Sequence, residues 1–171
     1  APGQLSWEKA QARLVDEAVT LSTWSRIGPF AGGNLDNAHA KAFIDETAVD
    51  LTKAYGDKKW VEVKEYVDGK VHALLHANCA TYIYRTIQAK SARSLQLSLG
   101  SDDSFKLWLN GQLVAEKKIT RGVAPDQDKV RVELLEGENT LLMKISNGGG
   151  GYGFYFKADS VPLPGPVLKA L

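Results

Sequence analysis

Asp102 and Asp103 stand side by side in the turn Gly100-Ser-Asp-Asp-Ser104. Adjacent carboxylates repel one another unless a cation or well-placed backbone N–H groups hold them. Oxygen-rich clusters of this kind suit calcium, and a bound calcium ion can also ligate sugar hydroxyls. The competing reading is an ordinary turn, with Asp102 capping the backbone and Asp103 solvated. A second group with ligand chemistry lies in VHALLHANC, which gathers two of the three histidines and the only cysteine: His72, His76 and Cys79. Imidazole and thiolate are ligands for zinc, copper or haem iron, so a transition metal or haem is the alternative cofactor. On a strand, His72 and His76 share a face and Cys79 points away; on a helix or irregular turn all three converge. No Cys-x-x-Cys-His is present, so covalent haem attachment is not indicated, and a lone cysteine is usually a small buried hydrophobe.

Aromatic rings bring a third chemistry, because a flat ring stacks on the C–H face of a pyranose. Trp60, Trp108, Tyr152 and Tyr155 are the candidate platforms, with Asn110, Asp102 and Asp103 as partners for hydroxyl groups. In Phe105–Asn110, period-two geometry puts Phe105, Leu107 and Leu109 on one face and Lys106, Trp108 and Asn110 on the other. Trp108 then lies under a connection or toward solvent. Asn147-Gly-Gly-Gly-Gly-Tyr-Gly153 lacks the Lys-Ser/Thr of a phosphate loop and leads into a strand rather than a helix. It is either a mobile loop that closes on a ligand or a plain hairpin connection.

Catalysis has little to recommend it. Glycosidases need two carboxyl groups roughly 5 to 9.5 Å apart across a bond, and Asp45, Glu46, Glu62, Asp102 and Asp103 sit in no recognisable catalytic motif. There is no Gly-x-Ser-x-Gly elbow. A pairing of Cys79 with His39 or His76 is available, but nothing promotes it. The expectation is a binding protein, not an enzyme.

The elements that must position these residues are mostly short strands. Ser6 is a plausible N-cap for a helix over residues 6 to 21, where Trp7, Ala10, Leu14, Ala18 and Leu21 form one apolar stripe. Residues 31 to 58 read as a long irregular stretch with one helical turn near Val49 to Tyr55, and a loop of that length is more often functional than idle. Strands follow over Trp60–Val67, Thr81–Ala89, Ser94–Leu99, Phe105–Leu109, Gln112–Ile119, Val130–Leu135, Thr140–Ser146 and Gly153–Ala158, separated by Gly, Asn and Asp turns. Asn110-Gly111 is a two-residue hairpin signal. The pattern predicts an all-β protein, an antiparallel two-sheet β-sandwich of jelly-roll type with one N-terminal α-helix.

LGSDDSFKLWLNGQLV, EGENTLLMKISN and GYGFYF resemble the second half of galactose-binding-like jelly-roll domains, which accompany bacterial glycosidases and other large extracytoplasmic proteins. WSRIGPF at residues 24 to 30 resembles the opening strand of such accessory modules. The Ser101-Asp102-Asp103 turn is similar to the Asp-Asp site of flocculin-type lectins, which bind sugar through calcium. This resemblance implies a non-catalytic carbohydrate-binding module whose partner is a polysaccharide or oligosaccharide, with calcium as its cation.

Bulk properties agree with that expectation. The chain has 171 residues and 18.6 kDa, enough to bury a core without staples. Its 21 basic and 20 acidic side chains leave a net charge of +1 with no dense basic patch, which argues against nucleic acid. No apolar run is long enough for a membrane-spanning helix. Val161-Pro-Leu-Pro-Gly-Pro-Val167 reads as a linker, so the expected organisation is an N-terminal helix over 1–23, a sandwich over 24–160 and a Pro-rich tail over 161–171. The expected setting is an extracytoplasmic parent protein whose other domains are further partners.

Overall fold

The computed structural model describes residues 19–159. The expected helix over 6–21 falls mostly outside that range, as does the Pro-rich tail. The part that is described, Val19–Leu21, is a strand (β1). The other strands are β2 (Trp24–Ala31), β3 (Val61–Val63), β4 (His72–Ala73), β5 (Cys79–Ala89), β6 (Arg93–Asp102), β7 (Ser104–Leu109), β8 (Gln112–Lys117), β9 (Asp128–Leu134), β10 (Gly137–Asn147) and β11 (Gly153–Asp159). Among the described residues the α-helix is one short element, α1 (Leu35–Ala40), capped by the Asn34 side chain, which accepts the Asn37 N–H at 2.7 Å. Near Val49 to Tyr55, where one helical turn is expected, there is a single hydrogen-bonded turn, with the Lys53 N–H donating to the Asp50 carbonyl at 3.1 Å, and no helix. The capping Asn and the small residues of LDNAHA place the helix earlier in the same stretch.

The strands form two antiparallel sheets. The larger runs β3-β2-β5-β10-β7-β8, with β1 extending beside β5, and the smaller runs β4-β11-β6-β9. From β5 onward the chain passes back and forth between the two sheets, except at the β7–β8 hairpin within the larger one, a jelly-roll winding. Alternation explains the core. Ile83, Ile87, Leu107, Leu141, Met143 and Ile145 of the large sheet face Leu95, Leu97, Leu99, Phe154 and Phe156 of the small one, all buried. Arg85 is drawn inside too, stacked 4.3 Å from the Trp24 ring and paired with Asp68 at 2.8 Å. Asn110 and Gly111 have φ of 51° and 79°, as the two-residue hairpin between β7 and β8 requires.

Two features depart from the expected pattern. The strand read over Trp60–Val67 is only Val61–Val63, and the chain then leaves the sheet so that Tyr66 can pack on Phe154 and accept a hydrogen bond from Arg26. Gly28-Pro29, a dipeptide that as sequence signals a turn, sits in a bulge within β2, where the register against β5 shifts between Ile27 and Phe30. The outer face of the large sheet is covered by the stretch following β2. Phe43, Ile44, Val49, Tyr55 and Trp60 pack over Ile27, Phe30, Tyr82, Trp108 and Leu142. The fully buried Lys144 fixes that cover, donating to the carbonyls of His39 (2.9 Å) and Lys41 (2.5 Å), with Glu46 at 3.6 Å.

Strand direction gives the sandwich two distinct ends. Ala31, Cys79, Asp102, Ser104, Asn147 and Gly153 are all strand ends at one pole, as the pairings of Asn147 with Cys79, Ser146 with Ser104 and Gly153 with Asp102 show. Val19 pairs with Ala89 and Asp159 with Gln96 at the other pole.

Candidate functional site

The Asp pair sits where the chain crosses from one sheet to the other. Asp102 ends β6, Ser104 begins β7, and the peptide bond between Asp102 and Asp103 is cis. Asp103 is only 3% exposed. Its Oδ1 accepts the Arg121 N–H at 3.0 Å and its Oδ2 the Gly148 N–H at 2.8 Å, while its own N–H donates to the Ser146 carbonyl at 2.9 Å. These bonds tie the turn to the β8–β9 connection and to the glycine loop. Asp102 is buried as well. Burial first, then the hydrogen bond with Asp103 and the charge of Asp103, push its carboxyl up to about 6.

The glycine loop Gly148–Gly151 runs beside both carboxylates. A Cβ on Gly151 would come within 3.0 Å of Asp102 Oδ2, one on Gly148 would make ordinary contact with Asp103 Oδ2 at 3.6 Å, and Gly150 takes a φ of 74°. Immediately before the loop, Asn147 is fully buried. Its Nδ2 donates to the His76 carbonyl at 2.8 Å, but its Oδ1 is buried without a hydrogen-bond donor. An orphaned carbonyl of this kind is costly unless something else takes it. The oxygens of Asp102, Asp103 and Asn147 are of the hard type that calcium takes, alongside carbonyls, water or ligand hydroxyls. Two of the Asp103 contacts are already made to backbone N–H groups. Among the described residues no group of three or more His, Cys, Asp or Glu side chains is placed to hold a metal ion, so a calcium site here would need the Asn147 oxygen as well as the two carboxylates.

The other candidates are placed elsewhere. Trp108 does lie on the face opposite Phe105, Leu107 and Leu109, but at 6% exposure it is packed under the cover segment and offers no platform to a sugar. Tyr152 is a core residue whose hydroxyl donates to the Ile145 carbonyl at 2.5 Å. Tyr155 is buried next to Gly100, where the Ala124 carbonyl crosses so closely that no side chain fits. Trp60 is half-buried against Tyr84 on the outer face of the large sheet. Asn110 is spent holding the hairpin to β10: its Nδ2 donates to Asn139 Oδ1 and its Oδ1 accepts the Thr140 N–H, each at 2.9 Å. It also sits at the far pole, roughly 23 Å along β7 from Asp103. The expected aromatic binding surface is thus not assembled.

His72, His76 and Cys79 do not converge either. His72 Nε2 lies 2.8 Å from the Val67 carbonyl, His76 is exposed at φ 83°, and the buried Cys79 thiol donates to the carbonyls of Leu75 and His76. Burial raises that thiol above its ordinary range, which disfavours both metal ligation and nucleophilic attack. His39 meets Ser104 rather than Cys79, with Nδ1 2.8 Å from Ser104 Oγ and Nε2 3.1 Å from Glu116. This has the composition of a hydrolytic triad, yet Ser104 is fully buried beneath α1, out of a substrate's reach. Of the remaining carboxylates, Asp45 binds Thr47, Glu46 accepts from Tyr82 and Glu62 accepts from Thr23. Asn147 is the residue that sequence reasoning missed. Its signal was parity, since a polar side chain follows Leu141, Met143 and Ile145 on the inward-facing positions of β10.

No protein-family model matches the chain, and neither does any curated protein. Among solved structures, it is similar to part of a β-glucuronidase of Faecalibacterium prausnitzii, at 18% identity and a TM-score of 0.44, over 76% of this chain and 21% of the enzyme. It is also similar to a family 35 carbohydrate binding module from Clostridium thermocellum, at 17% identity and a TM-score of 0.37, over 53% of this chain and 88% of the module. A third is the PA14 domain of the antifreeze protein MpAFP, at 17% identity and a TM-score of 0.40, over 92% and 76%. The chain spans about a fifth of the glucuronidase. With TM-scores under 0.5, none of these likenesses assigns a function.

Proposed function

We propose that this domain is a non-catalytic carbohydrate-binding module that holds sugar hydroxyls through a calcium ion at Asp102, Asp103 and Asn147. The observation that carries the reading is the buried Asp pair, bonded to Gly148 directly after Asn147, whose buried side-chain oxygen has no hydrogen-bond donor. A calcium ion bound there would supply open coordination positions for two hydroxyl oxygens. Asp103, anchored by two backbone N–H groups, sets the position of the site. Asp102, less tightly bonded, gives up its proton. The Gly148–Gly151 backbone, with no side chains in the way, lets a sugar ring approach. Such a module would tether an extracytoplasmic parent protein to polysaccharide.

A glycan array probed in calcium and again in chelator tests this. Binding that needs calcium and disappears in Asp103→Asn is expected. Calcium-independent binding, or no binding to any glycan, would contradict the proposal.

A further inference from the structure

The segment from Leu75 to Asn78 sits against the same site, and its backbone is unusually well held. The Asn78 N–H donates to the Gly148 carbonyl at 2.6 Å, and the Asn78 carbonyl accepts from Gly32 and Gly33 at 2.7 and 3.2 Å. The His76 carbonyl accepts both the Asn147 amide and the Cys79 thiol. His76 and Asn78 adopt φ of 83° and 51°, the left-handed region that side-chain-bearing residues seldom occupy. Backbone of this kind persists where the surroundings over-determine it, and such places are often binding sites.

The side chains contrast with the backbone. Leu75 is 73% exposed, the most exposed large hydrophobic residue described, and His76, Ala77 and Asn78 are exposed too. A fixed main chain that presents uncommitted side chains is the arrangement of a recognition loop, where little ordering is left to do on binding.

We infer that Leu75, His76 and Asn78 select the sugar held at the Asp102–Asp103 site, and that the sugar they select is neutral. This inference rests on the calcium-dependent reading above. Leu75 provides an apolar patch for the C–H face of a pyranose, the role that no buried aromatic ring here can take. His76 and Asn78 bond hydroxyls beyond those on the cation. The neutral preference follows from charge. Neither Leu75–Asn78, Asn147–Tyr152 nor Ala31–Leu35 contains Lys or Arg. Arg121, whose N–H reaches Asp103, has its guanidinium engaged by Ser101 and Asp128. A uronate or sialate carboxylate would find no Lys or Arg on these three segments, and the charge of the bound cation would already be balanced by the two Asp carboxylates.

The test uses calcium alone, and then the methyl glycosides of galactose, mannose, glucose and glucuronic acid in calcium, by calorimetry. Variants are Leu75→Ala and Asn78→Gly, the second keeping the positive φ while removing the amide. Calcium affinity should be unchanged in both. Affinity for the preferred neutral glycoside should fall about tenfold in Leu75→Ala, as loss of an apolar contact predicts. Asn78→Gly should alter the ranking among the neutral sugars. Preference for the glucuronide, or unchanged sugar affinities and ranking in both variants with calcium binding intact, overturns the role of this loop while leaving the cation site standing. Wild type that takes up no calcium overturns both readings.

Discussion

Replacing Asp102 with Asn removes a charge that the folded chain accommodates badly, and the effect can be sized. The carboxyl is pushed from the ordinary 3.8 up to about 6, by burial first and then by Asp103. A carboxyl whose pKa is raised by folding binds its proton more tightly in the folded chain. Its contribution to stability is therefore greatest below pH 3.8 and declines as pH rises to about 6. At about 1.4 kcal/mol per pH unit, ionising Asp102 costs folding about 3 kcal/mol once pH exceeds both values. In chelator near neutral pH, Asp102→Asn should consequently be more stable than wild type by about 2–3 kcal/mol, with the gap closing near pH 4. Urea denaturation in chelator at both pH values measures this. Added calcium should then stabilise wild type, by about 2.7 kcal/mol at a hundredfold excess over Kd, and leave the variant unmoved. A variant less stable than wild type in chelator at neutral pH, or a gap of equal size at both pH values, would refute the reasoning.

Three further outcomes follow from the packing. Trp108→Ala should cost about 3–5 kcal/mol in chemical denaturation, since the ring is core, whereas Trp108→Phe should fold and keep glycan affinity within error. Asn139→Ala should cost about 2–3 kcal/mol, because its buried amide serves the carbonyls of Ile87, Leu135 and Gly137 and the N–H of Leu135. Lys144→Ala should destabilise by about 3 kcal/mol and make residues 41–60 the first site of limited proteolysis, since it leaves Glu46 and two carbonyls without their cation.

Alternation and turn chemistry made the sandwich legible. Asn110-Gly111 takes the two positive φ angles its hairpin needs, and period two locates each strand from Thr81 onward, although β6 runs on through Gly100-Ser-Asp102 and β10 starts at Gly137, residues that read as turns in the sequence. What escaped was long-range cover. Period two assigns Trp108 to the outer face but says nothing of the segment that lies over it, because Phe43, Ile44, Val49 and Tyr55 follow no regular spacing and are held there by a lysine on β10. Trp60–Val67 alternates like a strand, yet Tyr66 and Asp68 are drawn away by Phe154 and Arg85, contacts remote in sequence. At the site, the Asp pair was visible as chemistry because two adjacent carboxylates need an explanation. Asn147 was not, since its importance lies in a missing partner that only the packed structure reveals.

The most direct measurement is a calorimetric titration of calcium into chelator-treated protein, repeated with Asn147→Ala. One calcium per chain, with binding severely weakened in the variant, is the result predicted for a cation held by Asp102, Asp103 and the Asn147 oxygen. No binding in wild type, or binding that Asn147→Ala leaves intact, would contradict it.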